Sequence, residues 1–378
     1  MQDLGSCAAR RVGSTPTTRT MNRTAAYFFA AVLSLLRLTP GHTEIKLPIS
    51  AYNERHGENI VERIHDFQKR TPDPVSVEYI PTPSGVIPVY SIISFHSLTQ
   101  FIGYGKYINK GWGNVYLRGQ TSLYDGYISP SVLRRQKINP DEHILPVQKE
   151  DDIGKIKALQ FHPLNYNKRI ADYKSYLGRS IKSTIHFPEW NKNIIEPLLQ
   201  HYGVRTHWLD VVDNTWIALW FALHQAKATI VNNREYIHMY ESAISEYGYI
   251  FLVGSDAKAE DSHFSGMYRG ETTVMVDLRK AVPSYFLRPH AQHALMLRKY
   301  SENCEDFFDY TDKVIGIAKI SVADGLKWIG QTGLMSVQSL FPPPYYDTGY
   351  ASLLNEYHNQ RDDTNFIKHF GSIQNISY

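Results

Sequence analysis

The sequence predicts an α+β fold, with one mixed or antiparallel sheet surrounded by helices. Three observations predict it. From about residue 94 the hydrophobic pattern switches between helical spacing and short strand-like runs. The strand-like runs are β-branched or aromatic and bounded by glycine, polar or charged residues. The two kinds of segment interleave without the regular strand–helix–strand alternation of a doubly wound sheet.

Taken in order, residues 53–69 fit one amphipathic helix with Ile60, Ile64 and Phe67 on a stripe. Pro72, Pro74, Pro81, Pro83 and Pro88 then argue against any long element, so residues 44–93 read as a helical and proline-rich adaptor. Residues 97–108 read as a helix and 115–118 as a strand ending at Gly119. Residues 191–202 make a helix with Ile194, Ile195, Leu198, Leu199 and Tyr202 on one face, stopped by Gly203. Asn214 caps a helix over 215–225 that is apolar nearly all round, and such a helix belongs in the middle of a domain. Strands are expected at 249–253, 273–277 and 314–320.

Composition excludes several classes. With 43% hydrophobic and 20% charged residues the chain is neither disordered nor collagen-like. Its 378 residues suit two domains, or one large domain with extensions. The net charge is +3, but residues 1–43 hold five arginines against Asp3, a local +4 that leaves the remainder at −1. The body therefore carries no strong nucleic-acid signal and no bias toward an anionic membrane. Cys7 and Cys304 are too few for a disulfide framework or a thiolate zinc site, and fit a reducing, cytoplasmic setting. Cys304 sits among Glu302, Glu305 and Asp306, which disfavours a thiolate.

Residues 25–36 form an apolar run between Arg23 and Arg37. As a helix it rises about 18 Å, too little for a bilayer core of about 30 Å, so no transmembrane helix is expected. Two readings of the leader, residues 1–43, stay open. Starting from Met21 it has the basic and apolar regions of a signal peptide, which would export the protein, but lacks small residues for cleavage. Otherwise it is an unstructured extension or a surface helix.

No GxSxG elbow, phosphate-binding glycine loop, HExxH or EF-hand loop occurs. His290 and His293 lack the companions of a metal site, so no metal is expected. Three other blocks stand out together. The first is Tyr116-Leu117-Arg118-Gly119-Gln120 with Ser129-Pro130-Ser131-Val132-Leu133-Arg134. The second runs Leu199-Gln200-His201-Tyr202-Gly203-Val204-Arg205-Thr206-His207-Trp208-Leu209-Asp210, continuing to Ala218-Leu219-Trp220-Phe221-Ala222. The third is Arg288-Pro289-His290-Ala291-Gln292-His293-Ala294, followed later by Ser339-Leu340-Phe341-Pro342.

This set resembles the FRG domain family, named for an aromatic-Arg-Gly strand end, and the resemblance spans residues 94–355, leaving 356–378 as a tail. The sequence departs from the family pattern in two places. Leu117 separates the aromatic Tyr116 from Arg118, and Arg205 and His207 stand where the family has proline and arginine. The strand end is also similar to the first motif of the ADP-ribosyltransferases, whose split α+β sheet binds NAD.

That resemblance implies a nucleotide-binding pocket, with NAD as substrate and a protein as acceptor. Arg118 would hold the pyrophosphate with Gly119 and Gln120 beside it, Tyr202 would stack the nicotinamide, and Thr206 and Asp210 would complete the pocket. Arg118, His201 and Gln292 would be the catalytic residues, with Gln292 in the late acidic position. Gln292 departs from a carboxylate there, and an amide stabilises developing positive charge poorly.

Read from the residues alone, each has a second reading. Arg118 either captures a phosphate or carboxylate with its fork, or pairs with a buried carboxylate such as Asp210 while Gly119 serves a bulge. His201 either binds a hydroxyl or caps helix carbonyls, and Tyr202 is either a pocket wall or core. Asp210 either orients His201 or Arg118, or ties down its loop. A non-enzymatic nucleotide- or peptide-recognition module and a nucleic-acid-binding protein are the rival functions.

Overall fold

The computed structural model describes residues 61–82, 84–123, 128, 192–202, 206–231, 234–241, 245–300, 309–330 and 333–351. The leader, Cys7, Cys304, Gly203 and Arg205 lie outside them. The described residues form β1 (Val77–Thr82), β2 (Gly85–Ile92), α1 (Phe95–Ile108), β3 (Asn114–Gln120), α2 (Lys192–His201) and β4 (Leu209–Val212). Next come α3 (Thr215–Leu223), β5 (His224–Val231), β6 (Arg234–Glu241), β7 (Tyr247–Ser255), β8 (Ala259–Glu260), β9 (Met267–Arg269) and β10 (Thr273–Asp277). The last are α4 (Leu278–Ala281), α5 (Leu287–Ala291), β11 (Ala294–Lys299), β12 (Val314–Ser321), α6 (Val322–Ile329) and α7 (Val337–Leu340).

Ten strands share one sheet in the order β1-β2-β12-β7-β3-β4-β11-β10-β9-β8, and β5 pairs with β6 separately. The β2–β12 pair is parallel while β12–β7, β7–β3 and β3–β4 are antiparallel, so the sheet is mixed. With helices around it, this is the expected α+β class.

Local chemistry sets the helix starts. Ser94 and Ser97 form a reciprocal capping box at α1, each hydroxyl accepting the other's main-chain N–H at 3.1 and 3.3 Å. That box starts the helix at Phe95, two residues before the expected Ser97. Asn214 Oδ1 accepts from Trp216 and Ile217 main-chain N–H groups and caps α3 as the sequence predicts. The same helix stops at Leu223 because His224 turns to extended backbone and its Nδ1 meets Trp220 O at 2.8 Å.

Residues 61–66 are not helical, and only a short 3-10 turn, Phe67–Lys69, follows them. Their backbone bonds go elsewhere. Ile64 N–H donates to Ile315 O and Glu62 N–H to Asn109 Oδ1, both at 2.9 Å. Val61, Ile64 and Phe67 stay buried against the core without a helix to present them.

The prolines are also accommodated. Pro81 lies in the edge strand β1, and Pro88 in β2 precedes Val89, the first residue paired to β12. The missing N–H groups thus fall at the margin of the ladder. Val77–Thr82 and Gly85–Ile92, expected in an adaptor ending at residue 93, are strands of the main sheet.

Alternation along β3 sends Leu117 and Gly119 to one face and Tyr116, Arg118 and Gln120 to the other. On the first face α1 and α3 bury Leu98, Phe101, Ile217 and Trp220 against Leu117, Ile250 and Leu252. On the other, Tyr116, Leu209, Val211, Phe251 and Leu297 form a core drawn almost wholly from strands. A third cluster joins α2 to β10 and β11 through Leu198, Leu199, Tyr202, Val276 and Met296. Among the described residues no helix is long and apolar enough to cross a membrane.

Candidate functional site

Three elements meet around Asp210. The strand β3 places Arg118 and Gln120 side by side on one face, two residues apart. Arg118 donates from Nε to Gln120 Oε1 at 3.0 Å and from Nη1 to the main-chain oxygen of Asp210 at 2.6 Å. The guanidinium is buried, with the residue 9% exposed. It grips the backbone of β4 instead of the Asp210 carboxylate.

Gly119 makes no bulge. A Cβ there would lie 2.0 Å from Ala218 O and 2.7 Å from Ala222 N, so the missing side chain is what lets α3 rest on the strand. Gly248 on the adjacent strand serves the same helix, where a Cβ would meet Ala222 O at 2.3 Å.

The end of α2 brings the second group. Gln200 Oε1 accepts from both the N–H and the hydroxyl of Thr206 at 2.9 Å, and its Nε2 donates to Asp210 Oδ2 at 2.9 Å. Thr206 Oγ1 in turn accepts from the Trp208 N–H at 3.1 Å. Gln200 therefore fixes both ends of the stretch from α2 to β4, a role not assigned from the sequence although the residue stands in the second block. His201 Nδ1 lies 3.6 Å from Asp210 Oδ1, and its Nε2 is buried without a hydrogen-bond partner. Gln120 Nε2 is likewise buried and unpartnered.

The Asp210 side chain is 42% exposed, more open than the groups around it. Burial opposes its ionisation. The His201 hydrogen bond, the charges of His201 and Arg118 and the Gln200 donor outweigh that effect and hold the carboxyl below its usual range. Asp210 is thus an anion at neutral pH between an imidazole and a guanidinium.

The remaining predicted residues lie elsewhere. Tyr202 is fully buried in a second polar cluster. Its hydroxyl donates to Asp347 Oδ2 at 2.6 Å, its ring stacks on Tyr350 with centroids 5.5 Å apart, and the Arg288 guanidinium sits 4.6 Å from the ring centre. Burial raises its hydroxyl well above the usual tyrosine value. Gln292, also buried, donates from Nε2 to Leu340 O at 2.6 Å and pins α7 to the end of α5. No hydrogen bond or ion pair among the described residues links Gln292 to the Asp210 cluster.

His207, at the position of a family arginine, carries no charge at neutral pH. Burial, with the nearby Arg298 charge, pushes its pKa down to about 4. Arg288 opens the third block, but nothing local in the sequence marks it or Asp347 as a partner of Tyr202.

Residues 113–230 match the FRG domain family model. That stretch contains Arg118, Gly119, Gln120, His201, Tyr202, Thr206 and Asp210, while Arg288 and Gln292 lie beyond it. No curated protein and no solved structure matches the chain.

Proposed function

We propose, from the match of residues 113–230 to the FRG domain family model and from the geometry around Asp210, that the chain recognises a phosphate-bearing nucleotide, NAD foremost, at that polar cluster. One observation carries this reading. A continuous chain of contacts runs Gln120–Arg118–Asp210–His201, and both of its ends, Gln120 Nε2 and His201 Nε2, are buried without a partner. Buried polar groups rarely stay unpaired, because each loses the hydrogen bonds water gave it. A ligand with phosphate oxygens and ribose hydroxyls supplies what both ends lack. Gln120 donates to an oxygen, Arg118 brings positive charge, and the Asp210 carboxylate accepts from a hydroxyl.

A second reading, NAD cleavage, is favoured by Asp210 itself. Breaking the bond between ribose C1 and the nicotinamide nitrogen sends the electron pair out with nicotinamide and leaves positive charge on the ribose. A carboxylate stabilises that charge and an amide does not. Asp210 is ionised and half-exposed, whereas Gln292 is an amide already bonded to Leu340. Water or a protein side chain would then add at C1.

Thermal melting of the full chain with NAD, ADP-ribose or ATP tests recognition. At least one nucleotide should raise Tm, and Arg118→Lys should lose most of that shift while keeping its own cooperative transition. A flat response to all three overturns the proposal. Nicotinamide release from NAD, with and without cell extract as acceptor, tests cleavage. Release that Asp210→Asn abolishes supports it, and binding without release leaves recognition as the function.

A further inference from the structure

Arg288 is the most deeply buried arginine side chain among the described residues, 2% exposed, yet its Nε and Nη2 have no hydrogen-bond partner. The guanidinium lies 4.5 Å from the Tyr350 ring centre, 4.6 Å from that of Tyr202 and 5.4 Å from that of Phe341. These rings stabilise its charge through their faces, and the Tyr350 hydroxyl lies close enough to interact with the guanidinium as well, but Nε and Nη2 themselves are left without a partner.

Asp347, the acid beside it, is already committed. Its Oδ2 accepts from the Tyr202 hydroxyl and from the main-chain N–H of Arg288 at 2.6 and 3.0 Å, and its Oδ1 accepts from the Tyr350 N–H at 2.8 Å. Neither oxygen forms an ion pair with the guanidinium. Burial pushes the Tyr350 hydroxyl up to about 12 and that of Tyr202 upward as well, so neither phenol becomes a counter-ion at neutral pH.

Nε and Nη2 together form the edge of a guanidinium that meets an oxyanion with two parallel hydrogen bonds. A buried cation with that edge unmet is costly, and pairing it removes the cost. An approach lies close along the chain. Leu287 precedes Arg288 and Pro342 follows Phe341 in sequence, and with Gln338, Ser339, Pro343 and Tyr346 they line a groove of about 380 Å³.

We infer that Arg288 anchors a second binding site, separate from the Asp210 cluster, for the oxyanion of a small ligand carrying a phosphate or carboxylate group. The site does not rest on the nucleotide reading. It lies outside the matched domain stretch and uses none of the residues around Asp210.

The test is thermal melting of the full chain titrated with inorganic phosphate or acetate against chloride at constant ionic strength. Phosphate, acetate or both should raise Tm beyond chloride, and the two arms tell a phosphate site from a carboxylate site. Arg118→Lys should keep this response, and Arg288→Lys should weaken the apparent affinity about tenfold or more, since the lost fork removes a charged hydrogen bond. No response above chloride, or a response that Arg288→Lys leaves intact, overturns the site. If Arg288→Lys does not fold, the arginine Nε–H resonances of the wild type are followed instead. Phosphate or acetate should move one that is retained in Arg118→Lys, and a spectrum in which none moves overturns the inference.

Discussion

Arg118 holds Asp210 by its backbone. The Nη1-to-oxygen distance is 2.6 Å across 92 positions of sequence. The bond ties the end of β3 to β4 at a point where the two strands share a single paired position, Leu117 with Val212. It also leaves the Asp210 carboxylate to Gln200 and His201. One side chain therefore sets the spacing of two strands and the orientation of the acid between them.

Arg118→Lys should test that double role. A single ammonium cannot reach both Gln120 Oε1 and Asp210 O with the geometry of the guanidinium. We expect a loss of about 1–3 kcal/mol in chemical denaturation with cooperative unfolding retained, the scale of one charged hydrogen bond. An unchanged midpoint would show that the Arg118–Asp210 bond contributes nothing to the strand junction.

Gly119→Ala should destabilise the domain by about 1–3 kcal/mol or more, because a Cβ meets the α3 backbone at 2.0 Å and a helix cannot retreat locally. Gly103→Ala is the matched control. Gly103 sits in α1 with nothing within 4 Å of a Cβ, so alanine there should stabilise by about 0.5–1 kcal/mol. Opposite shifts in melting temperature would confirm the close approach, and equal shifts would refute it.

Tyr202→Phe separates packing from polarity in the second cluster. The ring keeps its stacking on Tyr350, while Asp347 loses its donor at 2.6 Å. A cost of about 1–3 kcal/mol is expected for a buried carboxylate stripped of one bond. A variant as stable as the wild type would show that the other donors, from Arg288 and Tyr350, suffice for Asp347.

How far the sequence reaches depends on separation along the chain. The Asp210–His201 pair was legible because the two residues lie nine positions apart within one block, and the Asn214 cap because its signal is local. The tie between Arg118 and Asp210 was foreseen as one alternative, but a residue list cannot distinguish a carboxylate from the main-chain oxygen beside it. The bond from Tyr202 to Asp347 crosses 145 positions and leaves no periodic trace. The same holds for residues 61–67, whose apolar spacing imitates a helix although Ile64 donates its main-chain N–H to Ile315 O of β12. β4 and β11 went unread because β4 is only four residues long and both run on directly from the conspicuous second and third blocks.

His207 should give the domain an acid-side instability. The unfolded chain takes up this proton near pH 6.5, while burial and the Arg298 charge delay it to about pH 4 in the folded state. Between those values the unfolded state binds more protons, so stability falls as pH drops through the window and this contribution levels off below about 4. The full effect is roughly 3 kcal/mol. Asp210 titrates below its ordinary value of 3.8, so its own contribution is lost only at lower pH and does not overlap the window. His207→Gln removes the proton site and keeps a polar side chain. Its melting temperature should therefore fall less steeply than that of the wild type from pH 6.5 to 4, and run parallel to it above pH 7. Parallel curves across the whole range would show that His207 takes up its proton as readily in the folded protein as in the unfolded one, and that its position is not the buried, neutral one the structure gives it.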